Sequence, residues 1–225
     1  MKNKILKYST CLTVLFVFVL CPFALCEKVE LDACITALEN RYGSMKDISS
    51  SFKQETFLSI ASRIEKAEGK VYIKKGGKMF WDYIQPTPQK IILEGENLWI
   101  YLPDEKQVVE SSITSFSSHI VADLIYGKVN IMKRFNVSFL STDSEDNSSN
   151  IILELLPKEY NPTIKRLLLE IDPAGSLITE TVLEDELGTK TTLMFSEIKV
   201  DKGIEDSCFT FTPPPGVEIF SPPKF

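Results

Sequence analysis

One histidine, His119, stands in 225 residues, so no pair of imidazoles can share a metal and any catalytic triad would have to use that side chain. No serine sits in a G-x-S-x-G turn, and no G-x-x-x-x-G-K-[ST] loop is present to cradle a phosphate. His119 follows Ser117 and Ser118 on the polar side of a short helical pattern, where it reads as a solvated or capping residue. Carboxylates cluster where turns are expected, as in Glu184-Asp185-Glu186, and solvation accounts for them. Positive charge is also short. Against 31 Asp and Glu there are 25 Lys and Arg, a net charge of −6. That balance excludes broad affinity for nucleic acid or anionic membranes. It also argues against the Lys and aromatic residues interleaved from Tyr72 to Trp81 as a stacking platform for single strands. Neither catalysis nor a cofactor nor a metal is expected.

Long apolar runs are absent except at the start. Lys2, Lys4 and Lys7 precede an apolar core from Leu12 to Leu20, and Ala24-Leu25-Cys26 offers small residues near a cleavage point. This is the layout of an export signal, and nine residues, eight of them apolar, fall short of the roughly 20 that a spanning helix needs. A lipid-modified Cys26 is the competing reading, but Leu25 replaces the small residue usual before such a cysteine. The signal is therefore expected over residues 1–26 and one domain over 27–225, a length suited to a real core. Residues 1–26 hold three lysines and no acids, so the net charge without them falls from −6 to −9. Of five cysteines only Cys34 and Cys208 remain. An oxidising compartment allows them to join, and two free thiols are equally compatible with the spacing.

What the chain does contain is β pattern. From Glu68 to Val109 apolar and polar residues alternate, broken by Gly and Pro. Val71 and Ile73 point one way and Lys70, Tyr72 and Lys74 the other. Gly76-Gly77 supplies a connection, Met79, Trp81 and Tyr83 continue one face, and Pro86 and Pro88 end it. Ile91 and Leu93 lead through Glu94-Gly95-Glu96-Asn97 into Leu98 to Tyr101. Two longer strands, Ile48 to Leu58 and Ser62 to Lys75, precede them. Further inward sets follow at Phe135, Val137 and Phe139, at Ile151, Leu153 and Leu155, and at Leu167, Leu169 and Ile171. Leu177 to Leu183 and Thr191 to Val200 make a last pair. Strands with turns between them favour an antiparallel sheet that curls.

Two stretches break that rule. Leu31, Cys34, Ile35, Leu38, Tyr42 and Met45 keep helical spacing. Ile120, Val121, Leu124 and Ile125 make a second short stripe, capped at Ser117-Ser118 and closed by Gly127. Two amphipathic helices are thus available to cover one sheet face that collects Val71, Ile73, Met79, Trp81, Ile91, Leu93, Phe135, Phe139, Leu153, Leu167 and Leu169. Read from the residues alone, helices and sheet close into an ordinary dry core.

The order of the strand motifs resembles the outer-membrane lipoprotein carrier family, LolA. The matching parts are Phe52-Lys53-Gln54, Gly69, Lys74-Lys75, Trp81, Pro86, Gly95-Glu96-Asn97-Leu98-Trp99-Ile100-Tyr101 and the ending Phe209-Thr210-Phe211-Thr212-Pro213-Pro214-Pro215-Gly216-Val217. The resemblance implies a mainly β fold, an incomplete antiparallel barrel covered by a helical lid, with acyl chains held between them. It implies a periplasmic carrier, expected as a monomer, whose partners are acylated lipoproteins, an inner-membrane ATP-driven exporter and an outer-membrane acceptor. The collected apolar residues would line the acyl-chain cavity, and Leu38, Ile120, Val121, Leu124 and Ile125 would belong to the lid. A basic side chain after the Gly-led strand holds the family's empty form shut by bonding lid carbonyls. Lys75 occupies that position, but Lys75-Gly76 stands where the family usually has Arg-Pro. A lysine is a point donor with fewer fixed bonds, so a weaker latch and an ordinary solvated turn lysine both remain open. A lipid or glycolipid shuttle, a sensor domain on the same scaffold and a filled β domain with a protein-binding surface are the alternatives.

Overall fold

The computed structural model describes residues 23–112, 130–140 and 150–221, with side chains from Glu30 onward. The chain opens with helix α1 (Phe23–Ser44), followed by β1 (Asp47–Leu58), β2 (Arg63–Lys74), β3 (Lys78–Gln85), β4 (Gln89–Glu94), β5 (Asn97–Leu102) and β6 (Gln107–Ser112). A single helical turn, Ile131–Arg134, precedes β7 (Phe135–Phe139), β8 (Ile151–Pro157), β9 (Arg166–Asp172), β10 (Leu177–Glu184) and β11 (Lys190–Val200). A 3-10 turn at Asp206–Phe209 and the short β12 (Glu218–Phe220) end it.

The strands form one sheet in the order β12-β6-β5-β4-β3-β2-β1-β11-β10-β9-β8-β7. Neighbours are antiparallel except β12, which lies parallel to β6. β12 and β7 are the two ends of the order and do not pair, so the sheet is open, as the curling pattern predicts. The β2–β3 connection is Lys75-Gly76-Gly77, and both glycines take positive φ, +99° and +81°, a region closed to most side chains. Gly95 at +65° serves the two-residue β4–β5 turn in the same way.

Two apolar clusters lie on the inner face, the face that meets α1. The first joins Ile35, Leu38, Tyr42 and Met45 to Phe135, Leu153, Leu155, Leu167, Leu169, Ile171 and Ile178. Leu31 and Cys34 pack on its margin, so the periodicity read over residues 31–45 picks out the buried stripe correctly. The helix itself starts earlier, at Phe23, and ends one residue before Met45. The second cluster is Phe52, Val71, Ile73, Met79, Trp81, Leu93 and Leu98, with Ile91 and Ile100 beside it. Ile48 and Phe195 touch both clusters and join them.

The outer face carries a core that the alternation did not foresee. Tyr72, Phe80, Ile92 and Trp99 face one another across β2 to β5. The 3-10 turn lies against β3 and β4. Phe209 within it is fully buried, and Phe211 packs its ring against Trp99 and Tyr101 at 6.4 and 5.6 Å. β4 is therefore covered on both sides, and its run Ile91-Ile92-Leu93 is the pattern of a strand buried twice rather than once. Cys208 belongs to this outer strap and Cys34 to the inner cluster, and both thiols are free. The second helical stripe, Ile120, Val121, Leu124 and Ile125, lies outside the described residues, as does His119.

Candidate functional site

The apolar residues read as one cavity lining divide between the two clusters. Phe135, Phe139, Leu153, Leu167 and Leu169 sit under α1, close-packed with its own side chains. Val71, Ile73, Met79, Trp81, Ile91 and Leu93 sit in the second cluster, to which α1 contributes no residue among those described. Leu38, expected in the lid, belongs to α1 and is buried in the first cluster on its sheet-facing side. At the seam lies a cavity of about 20 Å³ bounded by Tyr42, Ile48, Val71, Ile73, Ile178 and Phe195. That volume admits one water rather than a hydrocarbon chain. Cargo at this seam therefore requires α1 to move.

The foot of α1 is tied down by a set of polar contacts. The Tyr42 hydroxyl accepts from the backbone N–H of Ile178 at 2.9 Å, where β9 and β10 lose register between Ile178 and Glu180. The Lys75 ammonium donates to the Gly43 carbonyl at 2.6 Å, and the Lys75 N–H donates to the Lys46 carbonyl at 2.9 Å. Carbonyls in the last helical turn lack partners within the helix, and a cation there also meets the negative end of the helix dipole. Asp47, buried just after, takes backbone N–H bonds from Lys202, Gly203 and Ile204. Asp201 Oδ1 in turn accepts from the Lys46 N–H at 2.7 Å.

The second cluster is organised by Phe52. Its ring meets Trp81 and Tyr83 edge to face, with centroids 4.8 and 4.9 Å away. This is possible because Gly69 lies opposite Phe52 and presents no side chain. Next along β1, Gln54 accepts from the Tyr83 hydroxyl at 2.9 Å. The Phe52-Lys53-Gln54 motif thus reads directly as structure: Phe52 inward, Lys53 outward, Gln54 inward. Sequence reasoning took Phe52 and Gln54 as family markers and missed their place in the site. The signal was the match of an aromatic on one strand to a glycine on the next.

Burial pushes the phenols of Tyr42 and Tyr83 up to about 12. An unfolded phenol ionises near 10, so both residues favour the folded state in their neutral form. That contribution is whole below pH about 10 and is lost as the pH climbs toward 12. Ultraviolet titration of phenolate should show a late phase from Tyr42 and Tyr83, and Tyr42→Phe with Tyr83→Phe should remove it. A titration with no late phase contradicts the burial of these rings.

Among the described residues no group of three His, Cys, Asp or Glu is placed to hold a metal, and no helix is long and apolar enough to cross a membrane. The fold and its site define a class: an open antiparallel sheet with a two-part apolar inner face, one part sealed by a helix whose foot is clasped by a turn lysine. Residues 43–212 match the family model described as outer membrane lipoprotein carrier protein LolA, and the chain belongs to that family. It is 29% identical over 205 residues to the outer-membrane lipoprotein carrier protein of Nitrosomonas europaea, covering 91% of this chain and 97% of that one. To the outer-membrane lipoprotein carrier protein of Pseudomonas aeruginosa it is 25% identical, covering 91% and 96%. In fold it is similar to the crystal structure of an uncharacterized conserved protein from Thermus thermophilus, with a TM-score of 0.56 at 13% identity over 85% of this chain and 99% of that chain.

Proposed function

We propose that this chain is a periplasmic carrier that takes the acyl chains of lipoproteins from an inner-membrane ATP-driven exporter and delivers them to the outer membrane. The family membership carries the reading, and the apolar inner face, with a helix that can shield or expose it, supplies a physical means. Each buried methylene is worth about 0.8 kcal/mol, so a chain of about 16 carbons resists leaving for water by roughly 12 kcal/mol. A carrier has to match that cost without exceeding it by much, or release stops. An empty form that collapses onto itself provides the balance, because cargo then competes with the protein's own packing. In this reading residues 1–26 are an export signal, the carrier acts as a monomer, and no bond is made or broken.

Met79, Trp81, Ile91 and Leu93 would receive the chains, since these belong to the part of the inner face where, among the described residues, no α1 side chain joins the cluster. Lys75 would be the latch of the empty form through its bond to the Gly43 carbonyl. A bond from a charged donor contributes about 1.5–3 kcal/mol at most, and exposure lowers it here. Lys75→Leu should therefore raise apparent affinity for an acylated lipopeptide about fivefold and slow its transfer to acceptor vesicles, because the closed competitor is weakened. Lys75→Arg should restore transfer. Unchanged transfer by Lys75→Leu removes the latch. Mass spectrometry of the protein purified from its native envelope tests the function itself: bound acylated protein is the expected result, whereas free lipids alone would point to a lipid shuttle.

A further inference from the structure

The carrier reading leaves open how the polar end of the cargo is held, and the inner face beyond Tyr83 bears on it. The apolar rows stop at Phe52, Gly69 and Tyr83. On the same face Gln54 pairs with Ala67 and Thr56 with Glu65 toward the β1–β2 turn. These residues open onto a groove of about 510 Å³ lined by Gln54, Thr56, Ala67, Arg63, Lys66 and Pro86. Gln54 is held from both sides: its Oε1 accepts from the Tyr83 hydroxyl and its Nε2 donates to Thr56 Oγ1 at 3.1 Å. The Tyr83 phenol, pushed up to about 12, stays a donor and fixes which end of the amide faces it. Among the described residues the second amide hydrogen of Gln54 and the hydroxyl proton of Thr56 meet no acceptor.

We propose that this groove receives the junction between acyl chains and polypeptide in a lipoprotein. The ester and amide carbonyls at the heads of the chains accept from Gln54 and Thr56, and the polypeptide leaves between the β1–β2 turn and Pro86. The chemistry follows from position. Hydrocarbon ends in a carbonyl, and a carbonyl taken out of water needs a donor where the apolar lining stops. Two donors stand there. The cations of the groove are already answered, Arg63 by Glu65 and Lys66 by Glu55. A neutral acyl-peptide junction therefore suits the groove, and among the described residues a phosphate head group has no unpaired cation there to meet.

The test uses the purified protein and three probes: a tripalmitoylated cysteinyl tetrapeptide, dipalmitoyl phosphatidylglycerol and the hydrocarbon dye diphenylhexatriene. Gln54→Leu combined with Thr56→Val should weaken the lipopeptide at least about tenfold and leave the dye within about twofold. Ala67→Trp, directly across from Gln54, fills the groove while keeping the Gln54 and Thr56 side chains, and should weaken the lipopeptide as strongly while sparing the dye. Lipopeptide binding within about twofold of the parent in both variants overturns the inference. So does an equal loss of the phospholipid in Ala67→Trp, which would assign the groove to a head group. If the parent protein binds neither dye nor lipopeptide, the carrier reading itself fails, an outcome distinct from parent binding that the variants leave intact.

Discussion

Replacing Gly69 by alanine is expected to lower the unfolding free energy by at least about 3 kcal/mol, among the largest effects available to a single methyl group in this chain. A Cβ at Gly69 would stand 2.1 Å from the Asp82 carbonyl oxygen, 2.9 Å from its carbon and 3.0 Å from Phe52 Cε1. The first two atoms are backbone of β3, so relief requires the β2 and β3 backbones to part rather than one side chain to turn. The β2–β3 register already shifts between Glu68 and Gly69, which leaves the site no slack. Phe52 would lose its seat against Trp81 and Tyr83 at the same time. Urea unfolding followed by tryptophan fluorescence measures the effect as a fall in midpoint. A midpoint close to that of the parent shows that the strands can part cheaply and ends the account of Phe52.

The second large effect lies on the opposite side of the sheet. Phe209→Ala is expected to cost about 3–5 kcal/mol, the range for deleting a fully buried phenyl ring. Phe209, the last residue of the 3-10 turn, anchors that turn against strands β3 and β4, in a segment also tethered by Lys74 to Asp206 and the Ile204 carbonyl and by Lys78 to Asp206. Those ion pairs are solvent-exposed and add little, so the ring is the main anchor of the strap. Its loss should free the residues that follow, and β12 should exchange its amide hydrogens with solvent much faster. Phe211→Ala, at a half-buried position, should cost less and leave β12 protected. Equal effects of the two substitutions would mean that the strap is held along its length rather than by Phe209.

The strands were legible in the sequence because alternation is a local property. Met79, Trp81, Leu93 and Leu98 on one side could be read from spacing alone, and so could the stripe of α1. The turn after β2 was legible because two adjacent glycines have few other uses. The outer core was not legible, because it depends on Phe209 and Phe211 returning to Phe80 and Trp99 from more than a hundred positions away. No periodicity records such a return. Ile91-Ile92-Leu93 held a partial sign of it, an apolar residue where alternation calls for a polar one. The division of the inner face into two clusters was equally hidden, since it depends on which strands α1 crosses. Lys75 was singled out through a family resemblance, and its bond to Gly43 needed the end of α1 placed beside the β2–β3 turn.

Among the described residues, the polar ties of α1 to other elements fall in its second half: Glu39 to the Ile131 N–H, Tyr42 to the Ile178 N–H and the Gly43 carbonyl to Lys75. Without residues 23–26, which the export-signal reading assigns to the leader, the helix runs over residues 27–44 and spans about 27 Å. A rod pinned near one end behaves as a lever, and a rotation of roughly 10° about the Lys46–Asp47 fulcrum would carry the opposite tip about 5 Å. Under the carrier proposal, small strain at the β2–β3 turn would be magnified at the far margin of the inner face, and whatever loosens the fulcrum would govern how wide that margin opens.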